Sequence, residues 1–190
     1  MNIEKINKRI LLLIENQVIS IENFYRNHNI DPDELSYLGS GDFGEAYITE
    51  DGRVVKITSS NSEFDIAKSL IGKAHLFTNF VEIYDAEITS IGMTILMEGV
   101  DQDSEIEDMF YTVTEILETQ GLPIQYIGHF DEDEYDIEIS SEVADFMHQL
   151  ENVNSDYRRL GIEASDIRPE NMGYSEDGTL KAFDIDNKQR

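Results

Sequence analysis

The sequence predicts an α+β fold in two lobes, with an antiparallel sheet in the first half and helices in the second. Three observations predict it. Between Leu35 and Val100, short β-branched and aromatic runs alternate with Gly- and Asp-containing turns, and one helical segment interrupts them. After Val100 the apolar residues recur at helical spacing. With 190 residues, 40% of them apolar, the chain is long enough to bury a core.

Taken in order, residues 3–27 carry Ile6, Ile10, Leu13, Ile14, Ile21 and Phe24 at helical spacing. Charges flank the short apolar core on both sides, so this segment reads as an amphipathic helix and not as a signal peptide. "NIDPDEL" breaks the pattern with a Pro-containing turn. "LSYLGSG", "GEAYITE" and "RVVKITS" read as strands, with "EDG" as the hairpin turn between the second and third. "SEFDIAKSLIG" is a helix that stops at Gly72, and "FVEIYDAEI" and "GMTILMEGV" are two further strands. "SEIEDMFYTVTEILETQG" is a helix with Ser104 as its cap and Gly121 as its stop. The acidic "FDEDEYDIEI" reads as a loop, and "SSEVADFMHQLENVNSDYRRLG" as a helix capped by Ser140 or Ser141. "MGYSEDGTLKAFDID" closes as a hairpin turning at Glu176–Gly178. This divides the chain into a helical extension (1–34), a sheet lobe with a glycine-rich loop (35–100) and a minimal helical lobe (101–190), joined near Glu98–Asp103.

Composition excludes several function classes. The absence of Cys removes disulfides, thiolate metal sites and a cysteine nucleophile. No apolar run is long enough for a transmembrane helix, so no membrane association is expected. Forty acids face 14 bases, a net charge of −26, and residues 74–157 hold 21 Asp or Glu and no Lys or Arg. That distribution argues against binding a nucleic-acid backbone, which needs clustered cations. It suits a solvated surface or a basic protein partner. The four His residues lack metal-ligand spacing, no nucleophile elbow supports a Ser-His-Asp triad, and Asp131–Glu134 lacks the Gly and terminal Glu of an EF-hand. The composition and spacing leave the oligomeric state open.

Three stretches carry chemistry. "GSGDFG", Gly39-Ser40-Gly41-Asp42-Phe43-Gly44, lies between two strands, where bare glycines let a backbone approach phosphates. A dinucleotide fingerprint would need a helix directly afterwards, and Ala46, Tyr47 and Ile48 continue as strand instead. Lys56, in the apolar strand "VVKI", can reach phosphates beneath such a flap, with Glu63 on the next helix as its companion. Asp166 and Asn171 stand at D-x-x-x-x-N spacing, and Asp184 follows a hairpin later. An Asp accepts a hydroxyl proton, an Asn amide oxygen binds a metal, a second Asp bridges metal to phosphates, and Arg168 neutralises a migrating phosphoryl group.

With "LGSGDFGEAY", "VVKI", "ILMEGV", "GIEASDIRPENMGY" and "FDID", the chain resembles the protein-kinase-like superfamily across about residues 35–186, and is similar to short bacteriophage-encoded kinase-like proteins. The resemblance implies a two-lobed protein-kinase-like fold with a reduced, truncated helical lobe, binding ATP and Mg²⁺ in the cleft. It implies Lys56 as the strand-three lysine, Asp166 as the catalytic-loop Asp, and Asn171 and Asp184 as metal ligands. It further implies Met97 at the gatekeeper position, and Glu98 and Val100 as hinge backbone for adenine. A host-cytoplasmic location follows if the chain is phage-encoded.

The chain departs from the family in five places, one of them the seven-residue spacing from Lys56 to Glu63, shorter than protein kinases usually have. Ala164-Ser165 replaces the His-Arg pair, Arg168 replaces a Lys, and Asp184-Ile185-Asp186 replaces D-F-G, making Asp186 an extra metal ligand as in small-molecule kinases. The sequence also ends four residues after Asp186, before any activation segment. Two functions are therefore expected: a minimal phosphotransferase moving the ATP γ-phosphate to a hydroxyl, or a catalytically dead kinase-fold protein, a pseudokinase or acidic inhibitor, that engages a basic partner.

Overall fold

The computed structural model describes residues 18–130, 139–162 and 167–184. The fold is α+β, and its described residues form two compact units: 18–71 with 83–98, and 72–82 with the residues from 99 onward. Among the described residues, no helix is long and apolar enough to cross a membrane.

The first unit is built on a five-stranded antiparallel sheet in the order β1-β2-β3-β5-β4. Its strands are β1 (Ser36–Gly41), β2 (Gly44–Ile48), β3 (Val54–Thr58), β4 (Ile83–Thr89) and β5 (Gly92–Met97). Helix α1 (Ile21–Asn27) precedes them, capped by the Ser20 hydroxyl, which accepts from the Asn23 N–H. Helix α2 (Asn61–Leu70) is inserted between β3 and β4.

Period-two alternation sends β3 side chains to opposite faces. Val55 and Leu96 join Ile21, Phe24 and Ile30 in one apolar cluster, which holds α1 on that face. Lys56, opposite Ala46 on β2 and Ile95 on β5, points to the other face. There α2 buries Phe64, Ala67 and Leu70. His28, just past α1, packs its ring at a tilt against Phe24, centroids 4.8 Å apart, and bonds Asp85 on β4 at 2.7 Å. The extension expected over residues 1–34 is therefore, in its described part, an integral layer of this unit. Residues 1–17 lie outside the described residues.

The second unit contains α3 (Ser104–Thr119), α4 (Ser141–Leu160) and the hairpin of β6 (Met172–Tyr174) and β7 (Leu180–Ala182). Two caps differ in outcome. Ser140 caps α4 as expected, whereas α3 is capped by Asp103, whose carboxylate accepts from the Glu105 N–H, and not by Ser104. Each of these helices is followed by a left-handed glycine, Gly121 at φ 67° and Gly161 at φ 71°. A 3-10 segment at Ile124–His129 was not expected from sequence. The acidic stretch 131–138 lies outside the described residues.

Residues 72–82 depart from the expected lobe boundary. The Ala182 N–H donates to the Asn79 carbonyl at 2.9 Å, and the Val81 N–H donates to the Ala182 carbonyl at 3.0 Å. The Asn79 side chain donates to the Leu180 carbonyl at 3.0 Å, and its N–H donates to the buried Asp156 carboxylate at 3.2 Å. The run "FVEIYDAEI" is thus divided: Phe80 and Val81 line up with β7, and β4 starts at Ile83.

The β6–β7 turn offers a pH test. Asp177 accepts from the Ser175 hydroxyl at 2.7 Å and the Thr179 N–H at 3.0 Å. These bonds hold its carboxyl at about 2, below the ordinary 3.8. A depressed folded value means stabilisation that is present above 3.8 and is lost as pH falls toward 2. Asp177→Asn is expected to melt below the parent at neutral pH and together with it near pH 2. Thermal melts across that range check this, and a gap that ignores pH would remove the carboxylate charge as the cause.

Candidate functional site

The first unit contributes the glycine hairpin and Lys56. β1 and β2 turn at Asp42-Phe43, with Gly41 paired to Gly44. The Phe43 carbonyl accepts from the Ser59 N–H at 2.6 Å and the Ser59 hydroxyl at 2.9 Å, which pins the turn to the end of β3. The glycines are not equivalent. A β-carbon on Gly44 would lie 2.0 Å from the Ile57 carbonyl oxygen, so strand pairing alone demands glycine there. At Gly39 and Gly41 a β-carbon would meet nothing within 4 Å, and neither has a positive φ. Their bareness has no cause within the described chain, and suits the close approach of a ligand to the backbone. Ser40, Asp42 and Phe43 are exposed on the same hairpin.

Lys56 forms an ion pair with Glu63 of α2. Glu63 is only 2% exposed and the Lys56 side chain 16%. Only seven residues separate them, and this is enough because Thr58, Ser59 and Ser60 lead directly from β3 into α2. The Ser60 hydroxyl caps α2 by accepting from the Glu63 N–H at 3.2 Å, while the Ser60 N–H donates to the Thr58 hydroxyl at 3.0 Å. Glu63 therefore sits in the first helical turn, where the helix dipole favours a carboxylate, and faces the sheet. The signal for this start was the Ser60-x-x-Glu63 capping pattern, which sequence reasoning overlooked.

Met97 ends β5, buried and opposite Val54 and Ile83, on the same face of the sheet as Lys56. Glu98 is the last residue of the first unit, and Val100 belongs to the second. Val100 packs on Gly173, where a β-carbon would lie 2.6 Å from its Cγ2. Asp101 and Tyr174 exchange two backbone bonds of 2.8 Å, and Gln102 donates to the Glu170 carbonyl at 3.0 Å. The segment expected to serve as a hinge is thus fastened to β6.

In the second unit, Pro169 starts a 3-10 turn through Asn171, with Arg168 before it. The Arg168 guanidinium lies 3.8 Å from Glu170, both well exposed. The Phe183 N–H donates to the Asn171 carbonyl at 3.0 Å, extending the hairpin by one pair. Asn171 and Asp184 thereby come to the same open end of β6–β7. The Tyr157 hydroxyl, on the buried face of α4, donates to the Asp184 carbonyl at 3.2 Å. Tyr157 was not singled out in the sequence, because helical spacing cannot show a hydroxyl's distant partner. Asp166 and Asp186 lie outside the described residues.

Asn171 and Asp184 offer oxygen donors, the ligand type a hard cation such as Mg²⁺ takes. Among the described residues, no group of three or more His, Cys, Asp or Glu gathers as for a metal ion. No protein-family model matches the chain, and no curated protein sequence matches it.

Proposed function

We propose that the chain is a nucleotide-dependent phosphotransferase of the protein-kinase-like superfamily, with two lobes and a minimal helical lobe, moving the γ-phosphate of Mg²⁺–ATP to a hydroxyl acceptor. The observation that carries this reading is the Lys56–Glu63 pair on β3 and α2, in the same sheet unit as the bare glycine hairpin. A lysine held by a buried carboxylate is fixed in direction, which a solvated strand lysine is not. That is what orienting phosphates requires.

In this reading the first unit supplies phosphate binding through Gly39, Gly41 and Lys56. The second supplies metal binding through Asn171 and Asp184, joined by Asp186. Mg²⁺, when bound, would neutralise charge on the phosphate oxygens. Asp166 would take the hydroxyl proton of the acceptor, and Arg168, exposed beside Glu170, would meet the migrating phosphoryl charge. Use of ATP would place the protein in a cytoplasm.

Mg²⁺–ATP at a hundredfold excess over its Kd should stabilise the folded state by about 2.7 kcal/mol, read as a raised Tm. Asp184→Ala should remove the Mg²⁺-dependent part of that shift. Asp166→Ala should keep the shift and abolish transfer of labelled phosphate. A wild type that shows the shift but neither ATPase activity nor phosphorylation of itself or of a protein extract would be a nucleotide-binding pseudokinase. No shift with either Mg²⁺ or Mn²⁺ at millimolar nucleotide would remove both readings.

A further inference from the structure

Apart from the Gly39 and Gly41 backbone, the outer edge of β1 is not used by the proposed chemistry. Among the described residues β1 has one neighbour, β2, and every residue from Ser36 to Gly41 except Gly39 is exposed. A register shift between Tyr37 and Gly39 takes Leu38 out of the pairing. Tyr37 is 59% exposed and Leu38 53%. Edge strands are ordinarily blunted by Lys, Pro, a β-bulge or a covering segment, and among the described residues β1 shows only the irregularity at Leu38. "SYLGSG" has neither Lys nor Pro, whereas the opposite edge, β4, is covered at one end by Ile19, bonded to Ile88 and Ser90 at 3.0 and 2.9 Å.

The charge around this edge is one-sided. Continuing the Ser36–Ile48 register outward sets Glu34 against Glu50, and Asp31, Asp33, Asp42 and Glu45 are exposed nearby. Like charges directly across a strand pair are destabilising. Their effect shows in Glu34, whose carboxyl is pushed up by its hydrogen bond to Glu50 and by that neighbour's charge. The described cations of this unit are engaged elsewhere: Arg26 with Asn23, Arg53 with Asp51, Lys56 with Glu63, and Lys68 over the Phe64 ring.

We propose that β1 is a docking edge for an extended basic segment of a protein partner. The segment adds as a further strand along Ser36–Gly41, sets apolar side chains on Tyr37 and Leu38, and brings Lys or Arg to Glu34 and Glu50. Backbone pairing supplies affinity in such strand addition, and alternate side chains supply specificity. Charge selects this occupant over a second copy, because a chain of net charge −26 repels itself. The chain's own residues 1–17 carry Lys5, Lys8 and Arg9 but join the described structure at Val18, beside β4 at the far edge of the sheet.

The test uses the full chain without nucleotide, so its outcome is independent of the phosphotransferase reading. The probes are a labelled peptide alternating Lys with Val and a matched peptide alternating Glu with Val. The Lys peptide is expected to bind in fluorescence anisotropy, and to slow amide exchange at residues 36–41 by about tenfold or more. The Glu peptide should not bind. Leu38→Lys, and separately Glu34→Gln with Glu50→Gln, should each weaken binding by about three- to tenfold, while Ile88→Lys on the opposite edge should leave it unchanged. No binding of the Lys peptide at millimolar concentration, binding indifferent to Leu38→Lys, or protection confined to the α3 surface would overturn the proposal. A parent that binds only after Lys5, Lys8 and Arg9 are changed to Gln would assign the edge to the chain's own N-terminal segment. Self-association abolished by Leu38→Lys would assign it to a second copy. Either result also overturns it.

Discussion

Lys56→Met is expected to destabilise the first unit by about 3 kcal/mol, because it leaves the Glu63 carboxylate buried without its cation. Desolvation decides the size of the effect. Glu63 is almost wholly removed from water, whereas an exposed pair would be worth only about 0–1 kcal/mol. Glu63→Leu alone should cost less, since the Lys56 tip keeps some access to solvent. Lys56→Met combined with Glu63→Leu should recover to within about 1 kcal/mol of the parent, as buried ion pairs replaced by apolar groups of similar volume often do. Urea denaturation of the three variants measures this cycle. The double variant also separates structure from chemistry. It should be folded and stable, yet show no Tm shift with Mg²⁺–ATP. A stable double variant that keeps the nucleotide shift would make the pair a structural ion pair and nothing more.

That pair also marks how far the sequence could be read. The strands were legible because β-branched residues alternate between turns whose chemistry is local, such as Asp51-Gly52 and Asp177-Gly178. Lys56 was legible from its place in an apolar strand. Glu63 was harder, because seven residues is a short reach when the connection is imagined as a loop. The capping by Ser60 brings the helix forward and closes the distance. The α3 start was misread by one residue because Asp103 and Ser104 are both good caps, and only the backbone conformation decides between them. Residues 72–82 were read with the sheet lobe, because their attachment runs through Asn79 to residues about a hundred positions away. No local periodicity encodes such a bond. The Tyr157–Asp184 bond was hidden for the same reason. The three loop glycines look alike in sequence, and only the distances across the hairpin divide them.

Gly44→Ala is expected to destabilise the first unit by about 2 kcal/mol or more, while Gly39→Ala and Gly41→Ala leave the fold intact. The contrast follows from the space at each β-carbon. At Gly44 the new atom would fall 2.0 Å from the Ile57 carbonyl oxygen and 3.0 Å from the Thr58 Cα, both backbone, so β2 and β3 must separate to admit it. The register Gly44–Thr58 would be lost, and with it the Ser59 bonds that pin the Phe43 carbonyl. At Gly39 and Gly41 the space is open and the backbone lies outside the left-handed region. There alanine restricts the unfolded chain more than the folded one, which raises stability by about 0.4–1 kcal/mol where no strain opposes it. If the bare backbone of Gly39 and Gly41 exists to approach phosphates, these two stable variants should still bind Mg²⁺–ATP about tenfold more weakly, a difference of about 1.4 kcal/mol. Melting curves with and without nucleotide read both quantities from one sample. Undiminished nucleotide affinity in Gly39→Ala and Gly41→Ala would remove the glycine hairpin from the proposed site. Unchanged stability in Gly44→Ala would show that β2 and β3 are not paired as closely as the Gly44–Ile57 approach requires.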